Sequence, residues 1–358
     1  MTHQEKKLYK ALCSFQATAF DESLLDAATP SVLGYLFFNR MQAVAYGTLK
    51  KHGLLGKVNR EFRNSLCGAY MQNIEKNRSF FQCISYIEET LSALQCQYAM
   101  LKGAYLCKCY PEGYRTSNDV DLLVLPKDVT EIGTTLRKAG FKQGHIRNGK
   151  FEPATRQEII SSKMMRGETI PYIQEIALPG MPFLEVDINF SLDYKPGDTA
   201  NLVQILKNTT KVELGDIGIH TLRSDDFFVH LCSHLYKEAT TLPWIEMKRD
   251  MTMYKYCDIY LLLCDTPKEQ VADWFNRAKE LGMEKVCAFA VMQMAKLFHF
   301  PYGAAVSIAE RVLSSDPAFI HTVTDPKNKK EYIFSEKDIE TRFFANNRTI
   351  LLEEVDTK

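Results

Sequence analysis

The sequence predicts an α+β protein, a small mixed-sheet core flanked by N-terminal and C-terminal helical regions. Three observations predict it. Apolar residues recur at helical spacing through residues 1–96. From Gln97 the chain changes to short β-type segments punctuated by Gly and Pro, and after Ser224 helical spacing returns. Runs of helix, strand and helix in separate blocks are the pattern of α+β chains. The blocks divide as 1–96, an N-terminal helical region; 97–223, the α/β core; 224–316, a C-terminal helical region; and 317–358, a polar tail.

In the first block, Leu8, Ala11, Leu12 and Phe15 share a helix face, as do Leu33, Leu36, Phe37 and Met41. Gly53 and Gly56 precede a long segment, Lys57 to Gln95, in which Val58, Phe62, Leu66, Tyr70 and Ile74 form one stripe. Phe81, Ile84, Ile87, Leu91 and Leu94 continue it beyond a polar interruption at Glu75-Lys76-Asn77-Arg78, read as a solvated stretch or a kink. Tyr98 to Leu101 reads as a strand, Gly103 onward as a short helix, and Val120 to Leu125 as a strand buried on both faces. Pro126-Lys127-Asp128 opens a helix with Val129, Ile132, Leu136 and Ala139 on one side, and Gly140 stops it. Phe141 to Arg147 is a further strand, and the polar Asn148 to Thr169 is a solvated insertion. Ile170 to Leu178 and Phe183 to Ser191 form a hairpin around Pro179-Gly180-Met181-Pro182, and Lys211 to Leu222 a second pair around Gly215-Asp216. Ser224-Asp225-Asp226 begins a helix with Phe227, Phe228, Leu231, Leu235 and Tyr236 on its apolar side.

Lysine and arginine total 44, as do aspartate and glutamate, so the chain lacks the electrostatic footprint of a dedicated nucleic-acid binder. The ten cysteines form no CxxC pair and read as buried free thiols of a reducing compartment. The polar, amphipathic N-terminus and the lack of a long apolar run point to a soluble, cytoplasmic protein with no membrane partner.

The chemistry-bearing stretch is Leu101 to Leu125, LKGAYLCKCYPEGYRTSNDVDLLVL. Residues two apart on a strand face the same way, so Asp119 and Asp121 project together ahead of a rigid apolar strand. Two carboxylates that close call for a cation between them, and their hard oxygens suit Mg²⁺. Downstream, Glu185, Asp187 and Asn189 share one face of the next acidic strand, while Val186, Ile188 and Phe190 share the other. His230 and His234 lie four apart on a helix, a spacing able to bind a metal; with no further ligand nearby they read as core or groove histidines.

The pattern LKG, YP, R and DVDLLV followed by LEVDINFSL resembles the nucleotidyltransferase superfamily related to DNA polymerase β, and within it the family of uncharacterised nucleotidyltransferases. The resemblance spans Leu8 to about Ser314, with its specific motifs in residues 101–125 and 184–190. It implies transfer of a nucleoside monophosphate from an NTP, most simply AMP from ATP, to an acceptor that is a small molecule or a protein. It also implies that Asp119, Asp121 and Asp187 are the catalytic and metal-binding carboxylates, holding Mg²⁺ or Mn²⁺. Gly103 would admit backbone amides to the phosphates, and Lys102 and Arg115 would supply positive charge to them. His230, His234 and Lys237 would line the nucleotide cleft. The chain has Ala104 after the glycine and Val-Asp-Ile-Asn at the third acid, where many relatives have Gly or Ser and Asp-His. Two rivals are therefore kept: a catalytically idle nucleotide-binding scaffold, and a metal-dependent phosphohydrolase. The transferase requires that the three carboxylates converge and that no cationic side chain fills the space between them.

Overall fold

Thr2 starts the first helix, α1 (His3–Cys13), through a capping box in which its hydroxyl accepts from the Glu5 amide and Glu5 accepts from the Thr2 amide. At α2 (Pro30–Phe38) the Thr29 hydroxyl alone caps the helix, accepting from the Val32 amide, and Pro30 occupies a first-turn position that needs no amide hydrogen. Helix α3 (Gln42–Lys51) follows. In the computed structural model, which describes residues 1–192, 199–264, 266–298, 300 and 303–355, α4 then runs unbroken from Arg60 to Leu91.

The polar stretch at residues 75–78, read as a solvated stretch or a kink, lies within the helix, with Glu75 and Arg78 exposed and Asn77 buried. Asn77 and Ser79 are buried within α4 and donate to distant carbonyls, Asn77 to Arg115 at 3.0 Å and Ser79 to Pro179 at 2.8 Å. A buried amide or hydroxyl bonded in this way need not interrupt a helix.

Next come β1 (Tyr98–Met100), α5 (Gly103–Cys109), β2 (Asp119–Val124), α6 (Val129–Lys138), β3 (Lys142–Arg147), β4 (Lys150–Pro153), α7 (Arg156–Arg166), β5 (Tyr172–Leu178), β6 (Met181–Asn189), α8 (Ala200–Leu206), β7 (Thr210–Leu214) and β8 (Ile217–Thr221). Residues 148–169, expected to be a solvated insertion, are largely exposed and hold β4 and α7; a capping box of Thr155 and Glu158 sets the start of α7. Gly140 ends the α6 segment with φ +99°, a conformation costly for any residue with a Cβ.

Among the described residues the strands form a mixed eight-stranded sheet in the order β4-β3-β5-β6-β2-β1-β8-β7. The pairs β2–β6 and β1–β8 are parallel and the others antiparallel. Val120, Leu122, Val124, Val186 and Ile188 are fully buried and pack with Phe80, Ile84, Ile87 and Leu91 of α4 and with Ile132 and Leu136 of α6. The alternate residues of β2 and β6 face the other way, and there the acids lie.

Helices α9 (Ser224–Ala239), α10 (Leu242–Glu246), α11 (Met253–Cys264), α12 (Lys268–Glu280), α13 (Glu284–Leu297) and α14 (Gly303–Leu313) continue the chain. The polar tail carries β9 (Thr322–Asp325), β10 (Lys330–Phe334), α15 (Ile339–Phe344) and β11 (Leu352–Glu354); its strands form an antiparallel sheet, and residues 356–358 lie outside the described residues. The fold class is therefore α+β with helical flanks. Two compact units divide the chain, Met71–Phe227 as one and Met1–Tyr70 with Phe228–Lys358 as the other. All ten cysteines are free, and no helix among the described residues is long and apolar enough to cross a membrane.

Candidate active site

The parallel register of β2 and β6 sets Asp119 opposite Glu185, Asp121 opposite Asp187 and Leu123 opposite Asn189. Asp119, Asp121, Glu185 and Asp187 therefore share one face, beside the side chain of Asn189. Asp121 is buried and Asp119 and Asp187 are half-buried. Asn189 Nδ2 donates to Asp121 Oδ1 at 3.3 Å, and Ser117 Oγ to Asp119 Oδ1 at 2.6 Å. Asp187 carries no side-chain hydrogen bond or ion pair among the described residues.

Lys102 enters this acidic face. The Leu101 amide donates to the Asp121 carbonyl at 2.9 Å, which carries β1 alongside β2 to the point where the chain turns into α5. At that turn Lys102 has φ 42° and ψ −111°, a region that side chains rarely tolerate. Its Nζ lies 3.1 Å from Asp121 Oδ1. The space among the acids thus contains a cationic side chain, contrary to what the transferase reading required of it.

Electrostatics follow from this crowding. Burial pushes the Asp187 carboxyl well above the usual range, and the charges of Asp121, Asp119 and Glu168 push it the same way while Lys102 opposes them. Burial also raises Asp121, with Lys102 and Asn189 working against it, and burial followed by the Asp119 charge raises Glu185. Burial pulls the Lys102 ammonium down, but the carboxylates of Asp121, Asp119 and Asp187 more than reverse this and hold it above its ordinary value.

Gly103 has a structural reason to lack a side chain: a Cβ there would stand 2.5 Å from both Cβ and Oγ of Ser117. Close approach of α5 to that serine lets Ser117 reach Asp119. The amides of Ala104 and Tyr105 are already engaged with the carbonyls of Leu101 and Lys102. Arg115 donates to the neighbouring Thr116 carbonyl, and its own carbonyl accepts from Asn77. Asn73 holds the Gly113 carbonyl at 2.9 Å, and Lys76 donates to the Asn118 side chain. The polar strip of α4 therefore anchors the loop that precedes Asp119, a role that Asn73, Lys76, Asn77 and Ser117 had not been given from the sequence.

His230, His234 and Lys237 belong to the other unit. His230 is buried, its ring 6.4 Å from that of His234, whose Nε2 lies 3.6 Å from Glu238 Oε1. Glu238 also receives Lys255, so this stretch of α9 carries a charged network of its own.

Among the described residues no group of three or more His, Cys, Asp and Glu side chains stands ready to hold a metal ion. The donor set on β2 and β6 is all carboxylate and amide oxygen, which is the chemistry Mg²⁺ takes, and an ammonium already compensates its charge.

Among curated proteins none matches this chain. A solved structure, that of an antigenic nucleotidyltransferase-like protein from Paracoccidioides brasiliensis, is similar at 14% identity and a TM-score of 0.32, over 51% of this chain and 74% of that one. A family model described as uncharacterised nucleotidyltransferase matches residues 28–299, well over half of the sequence. By that match the chain belongs to the family of uncharacterised nucleotidyltransferases.

Proposed function

We propose that the protein transfers a nucleoside monophosphate, most simply AMP from ATP, to a hydroxyl or similar group of a small molecule or a protein. The acceptor oxygen attacks the α-phosphorus, the bond to the β-phosphate oxygen breaks, and pyrophosphate leaves. The observation that carries this is the parallel pairing of Asp121 with Asp187, with Asp119 beside them on the same face.

Mg²⁺ or Mn²⁺, held by Asp119, Asp121 and Asp187, would supply charge stabilisation to the attacking and leaving oxygens. The chain's own residues do the rest. Lys102 neutralises Asp121 in the nucleotide-free protein and yields that place on loading, when its ammonium becomes available to triphosphate oxygens. Ser117 orients Asp119, and Asn189 orients Asp121. Asp187, with no donor seated on it, faces the acceptor side and accepts its proton. Arg115 adds a second positive charge for the phosphates once it leaves the Thr116 carbonyl. The reaction takes place in the cytoplasm, without nucleic acid or membrane as partner.

The test is incubation with α-labelled NTPs, Mg²⁺ and a panel of acceptors. Label transfer is expected from the wild type and not from the Asp119→Asn, Asp121→Asn double variant; transfer that survives in the variant removes these carboxylates from the mechanism.

The Lys102–Asp121 ion pair favours a second reading, an idle nucleotide-binding scaffold that keeps its counter-ion permanently. Stabilisation by NTP without turnover on any acceptor selects it, since a ligand that binds only the native state raises the unfolding midpoint. Steady phosphate release from NTP without an acceptor selects a phosphohydrolase.

A further inference from the structure

In the unit formed by Met1–Tyr70 and Phe228–Lys358, the guanidinium of Arg342 is buried to 1% exposure, and its Nε and Nη2 meet no acceptor among the described residues. Buried charges in proteins are paired, and the acids whose charges reach Arg342 have other partners: Asp338 accepts from Thr341, Glu336 from the Asp338 amide, and Asp250 accepts both Nε and Nη2 of Arg348, each at 2.6 Å. Phe334 lies under the guanidinium with its ring centroid at 4.6 Å, which offsets only part of the desolvated charge.

Arg342 lines a small cavity with Gln293, Thr240, Thr322, Met251 and Phe289. Its volume is about 10 Å³, on the order of a single water-sized site. The Thr240 and Thr322 hydroxyls already donate to the carbonyls of Tyr236 and Ala318. Gln293 is buried with its side-chain oxygen unpartnered, and turning the amide over presents two N–H donors to the cavity instead. One donor-rich cationic wall, one amide wall and no carboxylate describe a seat for a small anion.

We infer that this cavity is a binding site for a monovalent halide-class anion, chloride in practice, held by the Arg342 guanidinium and the Gln293 amide. Such an ion neutralises the arginine of α15 where helices α9 and α13 meet β9 and β10. The site is independent of the acids on β2 and β6, and takes no part in nucleotidyl transfer.

The test uses the full chain in sodium chloride and in sodium gluconate at equal ionic strength, with crystals grown in sodium bromide. Expected are an unfolding midpoint higher in chloride by about 2–4 °C, loss of that difference in Arg342→Met, and an anomalous bromide peak within the cavity. Equal midpoints in the two salts, or a chloride effect that Arg342→Met retains, overturn the inference. So does water density with no anomalous signal at that position. Should Arg342→Met fail to fold, the bromide map of the wild type decides alone.

Discussion

Lys102→Met separates a temporary counter-ion from a permanent one. At 3.1 Å from Asp121 the ammonium is worth about 5 kcal/mol of gross attraction at an effective dielectric near 20. Desolvation of the ammonium and its partial contact with solvent cancel most of this, leaving about 1.4–2.8 kcal/mol that an entering divalent ion has to overcome. Removing the charge while keeping the bulk of the side chain is therefore expected to tighten Mn²⁺ binding about 10- to 100-fold, read from the loss of the free Mn²⁺ signal in an EPR titration without nucleotide. The same change is expected to lower the metal-free unfolding midpoint, because Asp121 and Asp187 lose their nearest cation, and to weaken NTP binding. Opposite signs for metal and nucleotide are the signature of a lysine that exchanges between them. Mn²⁺ affinity equal to or weaker than that of the wild type refutes the exchange; no Mn²⁺ binding to either protein refutes the metal site itself.

Gly103→Ala drives a Cβ into Ser117, and is expected to cost about 1–3 kcal/mol in denaturant unfolding and to reduce label transfer; adding Ser117→Gly, which removes the atoms it meets, is expected to recover the stability but not the transfer, because Asp119 then loses its donor. Arg348→Met leaves Asp250 buried without its partner and is expected to cost about 3–5 kcal/mol, whereas Asp250→Leu with Arg348→Met costs less than the single change, as a double-mutant cycle in denaturant reads directly. Burial, helped by the Arg342 and Lys337 charges, lowers His321 from 6.5 to about 4. The unfolded chain therefore binds a proton that the native protein refuses between those values, so stability rises with pH from about 4 to 6.5 and then levels; His321→Gln is expected to flatten that part of a plot of midpoint against pH.

Period-two alternation made the acidic faces of β2 and β6 readable, and their parallel register is what brings the two faces together. Alternation states which side a residue takes but not which strand lies beside it, so the facing of Asp121 and Asp187 was available only through resemblance. Other features were written in the chain and passed over. Thr155-Arg156-Gln157-Glu158 is a capping-box sequence, yet the polarity of residues 148–169 led only to a solvated insertion, with no helix assigned within it. Lys76 and Asn77 fell in a stretch that looked like an interruption, and Asn73 was passed over, because helix periodicity weighs each position by hydrophobicity. Their partners, the Gly113 carbonyl, the Asn118 side chain and the Arg115 carbonyl, lie about 40 residues away along the chain. No local pattern contains such a partner.

The backbone at Lys102 bears on the choice between a catalyst and an idle scaffold. A residue with a Cβ at φ 42°, ψ −111° stores on the order of 1–3 kcal/mol, and such conformations persist where their surroundings over-determine them. Here the surroundings are the Leu101 amide on the Asp121 carbonyl, the Lys102 carbonyl taken by the amides of Tyr105 and Leu106, and the ammonium on Asp121. Two of the three are backbone bonds that remain when the ammonium departs. The side chain is thus attached to a fixed, strained turn and free to exchange one anionic partner for another, without the turn having to move. A protein that only had to neutralise Asp121 could do so with a lysine on any unstrained neighbouring position. Placing it instead at the turn between β1 and α5, directly beside the acids, puts the cation where a triphosphate approaching those acids would meet it.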